Sequence, residues 1–150
     1  MRLIVQRVSR ASVTIEGKVT ASIGTGLLVL VAFEADDSES DIEWTSGKLI
    51  RLRVFSDADG LMNLSVQDVG GEVLLVSQFT LYASTRKGNR PSYLRSARPE
   101  IAVPLYESFI RRVTQDLGKP VGTGQFGAEM RVELVNEGPV TLSIDSRTKE

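Results

Sequence analysis

Hydrophobic and polar residues alternate from the start of the chain. Over residues 2–8, Leu3, Val5 and Arg7 fall on one side and Ile4, Gln6 and Val8 on the other, the two-residue period of a strand. Residues 11–15 alternate again and are rich in β-branched side chains. Glu16-Gly17-Lys18 supplies a turn and residues 19–23 return, which predicts a hairpin. Gly24-Thr25-Gly26 breaks the pattern, and the continuous apolar run 27–33 suits a strand buried on both faces. The period then lengthens. Ile42, Thr45, Leu49 and Leu52 recur at helical spacing and predict a helix over 38–53. Ser38 is its N-cap, and acids in the first turn suit the helix dipole. Gly47 weakens it relative to alanine.

Val54 and Phe55 begin a short strand, Asp57-Ala58-Asp59-Gly60 and Gly70-Gly71 are turns, and 72–79 is a second apolar, strand-like run. Leu105, Phe109, Val113 and Leu117 repeat every four residues, with Tyr106 and Ile110 beside them. They predict a second helix, opened by Pro99 and closed by Gly118 with Pro120 beyond. Pro104 is tolerable if it lies in the first turn or if the helix starts there. Residues 122–127 are glycine-rich and irregular. Residues 130–135 and 140–144 read as strands around a turn at Asn136-Glu137-Gly138-Pro139, and 146–150 reads as a frayed tail. The predicted order is β-β-β-α-β-β-α-β-β: one mixed α/β domain over 1–145, barrel-like sheet layers with two helices, and antiparallel edges free to pair between subunits.

Composition narrows the chemistry. The 150 residues are 41% hydrophobic and 25% charged, enough to bury a core without disulfides. There is no Cys and no His. That excludes thiolate nucleophiles, zinc–thiolate sites and a Ser-His-Asp triad, and leaves any metal an all-oxygen site. A catalyst built from this chain needs carboxylates, Lys or Tyr, backbone dipoles, or groups on the substrate itself. No leader pattern and no membrane-length apolar run is seen, so the expected location is the cytoplasm. The net charge of −1 conceals a segregation. Residues 34–47 hold six acids and no base, whereas 85–99 hold five bases (Arg86, Lys87, Arg90, Arg95 and Arg98) and no acid. The basic run reads either as a phosphate-contacting segment or as an ordinary surface loop.

Four segments could carry chemistry. Ser77-Gln78-Phe79-Thr80 closes an apolar strand with hydroxyls, an amide and backbone N–H groups able to meet an oxyanion. Taken alone, the segment reads first as a strand leaving the core and turning polar. Gly138-Pro139 fixes the backbone between two strands, and as a dipeptide is compatible with a simple trans turn. Thr123-Gly124-Gln125-Phe126-Gly127 lets a backbone approach a ligand, yet lacks the Lys-Ser/Thr ending of a P-loop. The basic segment contains Tyr93, and bases with an aromatic suit an unpaired RNA end.

Together these segments carry a resemblance. Ser77-Gln78-Phe79-Thr80-Leu81 and Asn136-Glu137-Gly138-Pro139-Val140-Thr141 resemble the two signature motifs of the D-aminoacyl-tRNA deacylases of bacterial type. The opening Met1-Arg2-Leu3-Ile4-Val5-Gln6-Arg7-Val8 is similar to that family's start. Asn63-Leu64-Ser65-Val66, Thr85-Arg86-Lys87-Gly88, Arg90-Pro91-Ser92 and the stretch from Gly124 to Met130 are similar as well. The likeness covers roughly 1–145 in order, with small departures: Glu137 stands where Asp is more usual, and Tyr93 where Phe is common.

The resemblance implies hydrolysis of the ester between a D-amino acid and the terminal ribose of tRNA, and of glycine mischarged on tRNA-Ala, releasing tRNA and free amino acid. It implies a homodimer with cross-subunit sites, in which a cis Gly138-Pro139 enters the partner's pocket. There it holds the substrate amino group and excludes L-side chains, an exclusion by overlap. Arg7 would brace that motif. Met130, Asn136, Val140 and Thr141 would join Gly138 and Pro139 around the substrate. Ser77 and Gln78 would shape the pocket, and the N–H of Phe79, with that of Thr80, would meet the oxyanion. Arg86, Lys87 and Arg90 would contact tRNA. No cofactor, metal, DNA or membrane partner is implied. Without His to activate Thr80, the tRNA 2′-OH is expected to assist water. Two competing readings are a Ser77 or Thr80 esterase on small esters and a non-catalytic RNA-binding module.

Overall fold

In the computed structural model, which describes residues 1–149, the two alternating segments at the start form a single strand. β1 runs Arg2–Ile15 and turns into β2 (Lys18–Ile23). The turn residues Glu16 and Gly17 have φ of 49° and 76°, the left-handed pair that a tight hairpin favours. β3 (Gly26–Ala32) pairs antiparallel with the first half of β1, and β2 with the second half. β6 (Glu72–Ser77) joins β3 in parallel, and β7 (Gly122–Thr123) joins β6 in parallel. β8 (Arg131–Asp145) pairs antiparallel with β1 from Asp145 opposite Arg2 to Arg131 opposite Thr14. β2 approaches β6 and β7 across the remaining gap, so the sheet nearly closes into a barrel. A separate ribbon, β4 (Phe55–Ser56) with β5 (Met62–Leu64), lies between β3 and β6 in the chain.

The run predicted to be buried on both faces is so. Leu27, Val29 and Val31 of β3 join Leu3, Val5, Val73 and Leu75 in a core closed by the helices. Leu28, Leu74 and Val76 point the other way, into a second cluster with Val8, Val13 and Ile23. Helix α1 (Glu39–Arg51) starts behind Ser38, whose N–H donates to the Asp41 carboxylate at 3.0 Å. Helix α2 (Pro99–Leu117) begins with proline at its first position and ends on Gly118, in the left-handed conformation at φ 81°. Pro104 sits inside α2. The amide it lacks would have bonded the carbonyl of Glu100, a solvent-exposed residue of the first turn, where water is an alternative donor.

The α/β class and both helices agree with expectation, and the differences are instructive. The observed order is β-β-β-α-β-β-β-α-β-β: a third strand, β5, stands between the helices, β7 forms at 122–123 where an irregular stretch was expected, and the two strands expected at 130–135 and 140–144 are one, β8. The turn expected at 136–139 does not separate two strands; residues 137–140 are extruded from within β8. The tail does not fray at once. Ser146 is 4% exposed and its Oγ accepts from the Met1 ammonium at 2.7 Å. Arg147 pairs with Asp36 at 2.6 Å and Asp37 at 3.3 Å. Residue 150, part of the expected tail, lies outside the described residues.

Asp37 is the hub of this closure. Its carboxylate, fully buried, accepts from the Met1 ammonium at 2.6 Å and from the Glu34 N–H at 2.8 Å. A buried charge left without its partner is strongly destabilising. Asp37→Asn should therefore lower unfolding free energy by about 3–5 kcal/mol in urea titrations, with the slope against denaturant unchanged. A loss below roughly 1 kcal/mol, the range of surface pairs, would show that the pair is not held in the interior.

Candidate active site

β6 carries the first motif out of the core. Its pairing with β3 ends at Ser77 opposite Val31, and the Gln78 N–H still reaches the Val31 carbonyl at 2.7 Å. The chain then tightens into a 3₁₀ turn, Phe79–Tyr82, whose first internal bond is Leu81 N–H to the Gln78 carbonyl at 3.1 Å. A helical turn leaves its leading N–H groups without internal acceptors. Those of Phe79 and Thr80 have none among the described residues. The turn is braced from outside. Arg2 Nη1 donates to the Leu81 carbonyl at 2.9 Å, and Ser96 Oγ donates to the Phe79 carbonyl at 2.6 Å. Gln78 Nε2 donates to Thr80 Oγ1 at 2.5 Å. A hydroxyl that accepts a hydrogen bond is a weaker nucleophile, and no histidine exists to reverse this.

Ser77, Gln78 and Phe79 open onto a cleft of about 600 Å³. Phe79, Phe126, Met130 and Val132 make it largely apolar, and among the described residues Arg98 is the one charged residue lining it. Phe79 is 54% exposed and meets Tyr93 edge to face, with ring centroids 5.1 Å apart. Met130 fits because residue 124 is glycine: a Cβ there would lie 2.5 Å from the Met130 sulfur. Thr80 does not line the cleft.

The second motif is built by an interruption of the β1–β8 ladder. Gln6 pairs with Thr141 and Val8 with Asn136, so Arg7 alone faces the four residues 137–140. Asn136 Nδ2 ties the base of this loop, donating to the Arg7 carbonyl at 3.1 Å and the Val140 carbonyl at 2.9 Å. Gln6 Nε2 reaches Thr141 Oγ1 at 3.2 Å. Arg7 Nε donates to the Glu137 carbonyl at 3.1 Å, and its Nη1 donates to the Val54 carbonyl. The guanidinium occupies the space a side chain at 138 would need, and Gly138 has φ 123°, so only glycine fits without displacement. The Gly138-Pro139 bond is cis. Glu137, Gly138 and Pro139 are all exposed.

The expected site residues thus fall into three groups. Ser77, Gln78, Phe79 and Met130 share the cleft. Arg7, Asn136, Gly138, Pro139, Val140 and Thr141 form the extruded loop and its base, and none of them lines the cleft of the same chain. Arg86, Lys87 and Arg90 stand exposed on a loop pinched by mutual N–H to carbonyl bonds between Ser84 and Ser92, at 2.8 and 2.9 Å. Sequence reading missed the cleft's other walls. Ser96, Ala97 and Arg98 end the basic segment read as a candidate RNA contact, and Pro99 is read only as a helix start, so none of them is placed at the cleft by sequence. Residues 123–127 were legible through their glycines, and of these Phe126 and Gly127 line the cleft.

Comparison with known proteins identifies relatives of the whole chain. Residues 4–145 match the family model described as D-Tyr-tRNA(Tyr) deacylase. The chain is 57% identical over 150 residues to the D-aminoacyl-tRNA deacylase of Bacteroides thetaiotaomicron, and 58% identical to that of Dechloromonas aromatica, with 100% of each chain covered. Among solved structures, a c-Myc DNA unwinding element binding protein superposes with a TM-score of 0.89 at 38% identity, over 97% of this chain and 98% of that one. A probable eukaryotic D-amino acid tRNA deacylase, 18% identical, shares the fold with a TM-score of 0.80 over 95% and 98% of the two chains. With a family model spanning nearly the whole chain and full-length relatives above half identity, the chain belongs to the D-Tyr-tRNA(Tyr) deacylase family.

Proposed function

We propose that the protein hydrolyses the ester of D-aminoacyl-tRNA, and of glycyl-tRNA, and spares the L-form through main-chain exclusion. The observation that carries this reading is the pair of unpaired N–H groups of Phe79 and Thr80 beside an apolar cleft. Water attacks the acyl carbonyl, its oxygen becomes negative, and the two N–H groups meet that charge. The ribose oxygen then leaves with a proton, giving tRNA and free amino acid. Donors placed for the developing oxyanion stabilise the transition state without reorganising. The cleft offers no side chain suited to general-base work, so the terminal 2′-OH of the tRNA assists the attacking water.

Chiral exclusion is assigned to Gly138-Pro139. The loop projects from β8 and is absent from the lining of its own cleft, so it serves the cleft of a second copy, in a homodimer with cross-subunit sites. Rigidity suits that role. Arg7 and Asn136 together make four hydrogen bonds within and beneath the loop, to Glu137, Val54, Arg7 and Val140 carbonyls. The basic loop with Arg86, Lys87 and Arg90 takes phosphates near the tRNA end, and the exposed Phe79–Tyr93 pair offers a stacking surface. A Ser77 or Thr80 esterase is weaker, because neither hydroxyl has a base in the cleft. A net charge of −1, with the bases gathered in one loop, favours a local contact with an RNA end over a long duplex footprint.

The direct test is deacylation of D-Tyr-tRNA, L-Tyr-tRNA and Gly-tRNA side by side. The D- and glycyl esters should be cleaved and the L-ester spared, and equal cleavage of both hands would end the chiral assignment. Gly138→Ala forces a methyl into the Arg7 guanidinium, so it should displace the wedge and narrow the D/L ratio. Thr80→Ala should keep activity within about tenfold, where loss of a true nucleophile costs about 10⁴-fold or more. A terminal 2′-deoxy substrate should be inert; turnover on it would remove the RNA from the chemistry. Neutralising Arg86, Lys87 and Arg90 together should flatten the plot of log affinity against log salt by about 2 units, at ~0.7 per phosphate contact on a single strand.

A further inference from the structure

We propose that Tyr106 is a positioning residue for the cleft, and that its hydroxyl holds the wall formed by residues 124–130 at the distance the substrate requires. The proposal rests on the functional reading above and assigns a role to a residue outside both motifs. Tyr106 lies on the inner face of α2, 3% exposed, and has no place in the cleft lining. Its hydroxyl donates to the Leu75 carbonyl at 2.9 Å. The same oxygen accepts the Gly124 N–H, also at 2.9 Å. One carbonyl of β6, two residues before Ser77, thus joins a helix and the glycine-rich segment. The Tyr106 ring lies 6.2 Å from the Phe126 ring, tilted by 50°. Phe126 in turn lines the cleft, and Met130 fills the space left open beside Gly124.

The logic is geometric. A carbonyl oxygen has two lone-pair directions, and both are used here. With the phenol in place, the Gly124 N–H has a single approach to Leu75, which fixes where Phe126 stands. Without it, Leu75 keeps one bond and the segment gains freedom to swing. Burial raises the Tyr106 phenol far above its ordinary value, so it remains a donor at every working pH. The oxyanion donors belong to a different element, the 3₁₀ turn, and do not depend on this contact. The expected signature is therefore weaker substrate binding with intact chemistry.

Tyr106→Phe removes one oxygen and keeps the ring. For D-Tyr-tRNA it should raise KM about fivefold, the worth of one ordinary hydrogen bond, with kcat within about twofold. The Gly124 amide should exchange hydrogen faster, while amides of β1 and β3 keep their protection. Val113→Ala, on the same helix in the same core, is the structural control. It should lower Tm without moving KM or the Gly124 amide. Unchanged KM and unchanged Gly124 exchange in Tyr106→Phe would overturn the proposal. So would an equal rise in KM in Val113→Ala. If the unaltered protein fails to cleave D-Tyr-tRNA, the functional reading falls, and the exchange measurement still decides what the Tyr106 hydroxyl holds.

Discussion

The antiparallel ladder between the first strand and the last is the constraint on which the rest of the structure depends. β1 and β8 run beside one another from Arg2 and Asp145 to Thr14 and Arg131. Such a ladder tolerates little sliding, because a one-residue slip would turn Leu3 and Val5 out of the core. Its register is therefore fixed on both sides of the place where it fails. Between Gln6 and Val8 the partner strand has too many residues to pair, and the excess leaves as the loop with Gly138 and Pro139. The position of that loop is set by two stretches of regular sheet rather than by the loop's own contacts. The ladder also brings the start of the chain to Ser146 and Arg147, which Asp37 then fastens.

The cleft follows a similar economy. Its polar equipment consists mainly of main-chain groups at the end of a buried strand, with side chains acting as braces. Arg2, Ser96 and Gln78 hold the turn by its carbonyls and by Thr80. Arg7 and Asn136 hold the extruded loop in the same way. A chain without histidine or cysteine has few other means of treating an ester, and backbone donors in an apolar setting act more strongly than they would in water.

Much of this was legible in the sequence, for reasons specific to each element. The helices announced themselves through period and caps, because Ser38, Pro99 and Gly118 have conformational preferences that act locally. The run 27–33 was legible because a strand covered on both faces has no polar side. The continuity of β1 and β8 was not. Alternation at 2–8 and 11–15 looks alike whether the strand is broken or whole, and only the long-range ladder decides. The ribbon of β4 and β5 was half missed because strands of two and three residues are too short to show a period. In the cleft, Ser77 to Phe79, Phe126 and Met130 lie in stretches that carry the resemblance, whereas Ser96 and Tyr106 stand outside them. Their importance lies in which carbonyl or ring they touch across the fold, and no local pattern records that.

The two unpaired N–H groups of the 3₁₀ turn have a wider consequence. On the proposed reading the chemistry rests on a group that every residue except proline owns, so the loss of no single side chain would abolish it. Inactivating changes would instead be scattered among residues that shape the turn and its surroundings, each blunting the enzyme by degrees. Many side chains around the cleft could then be exchanged, provided the path of the main chain is kept and Gly124 and Gly138 leave room for Met130 and Arg7.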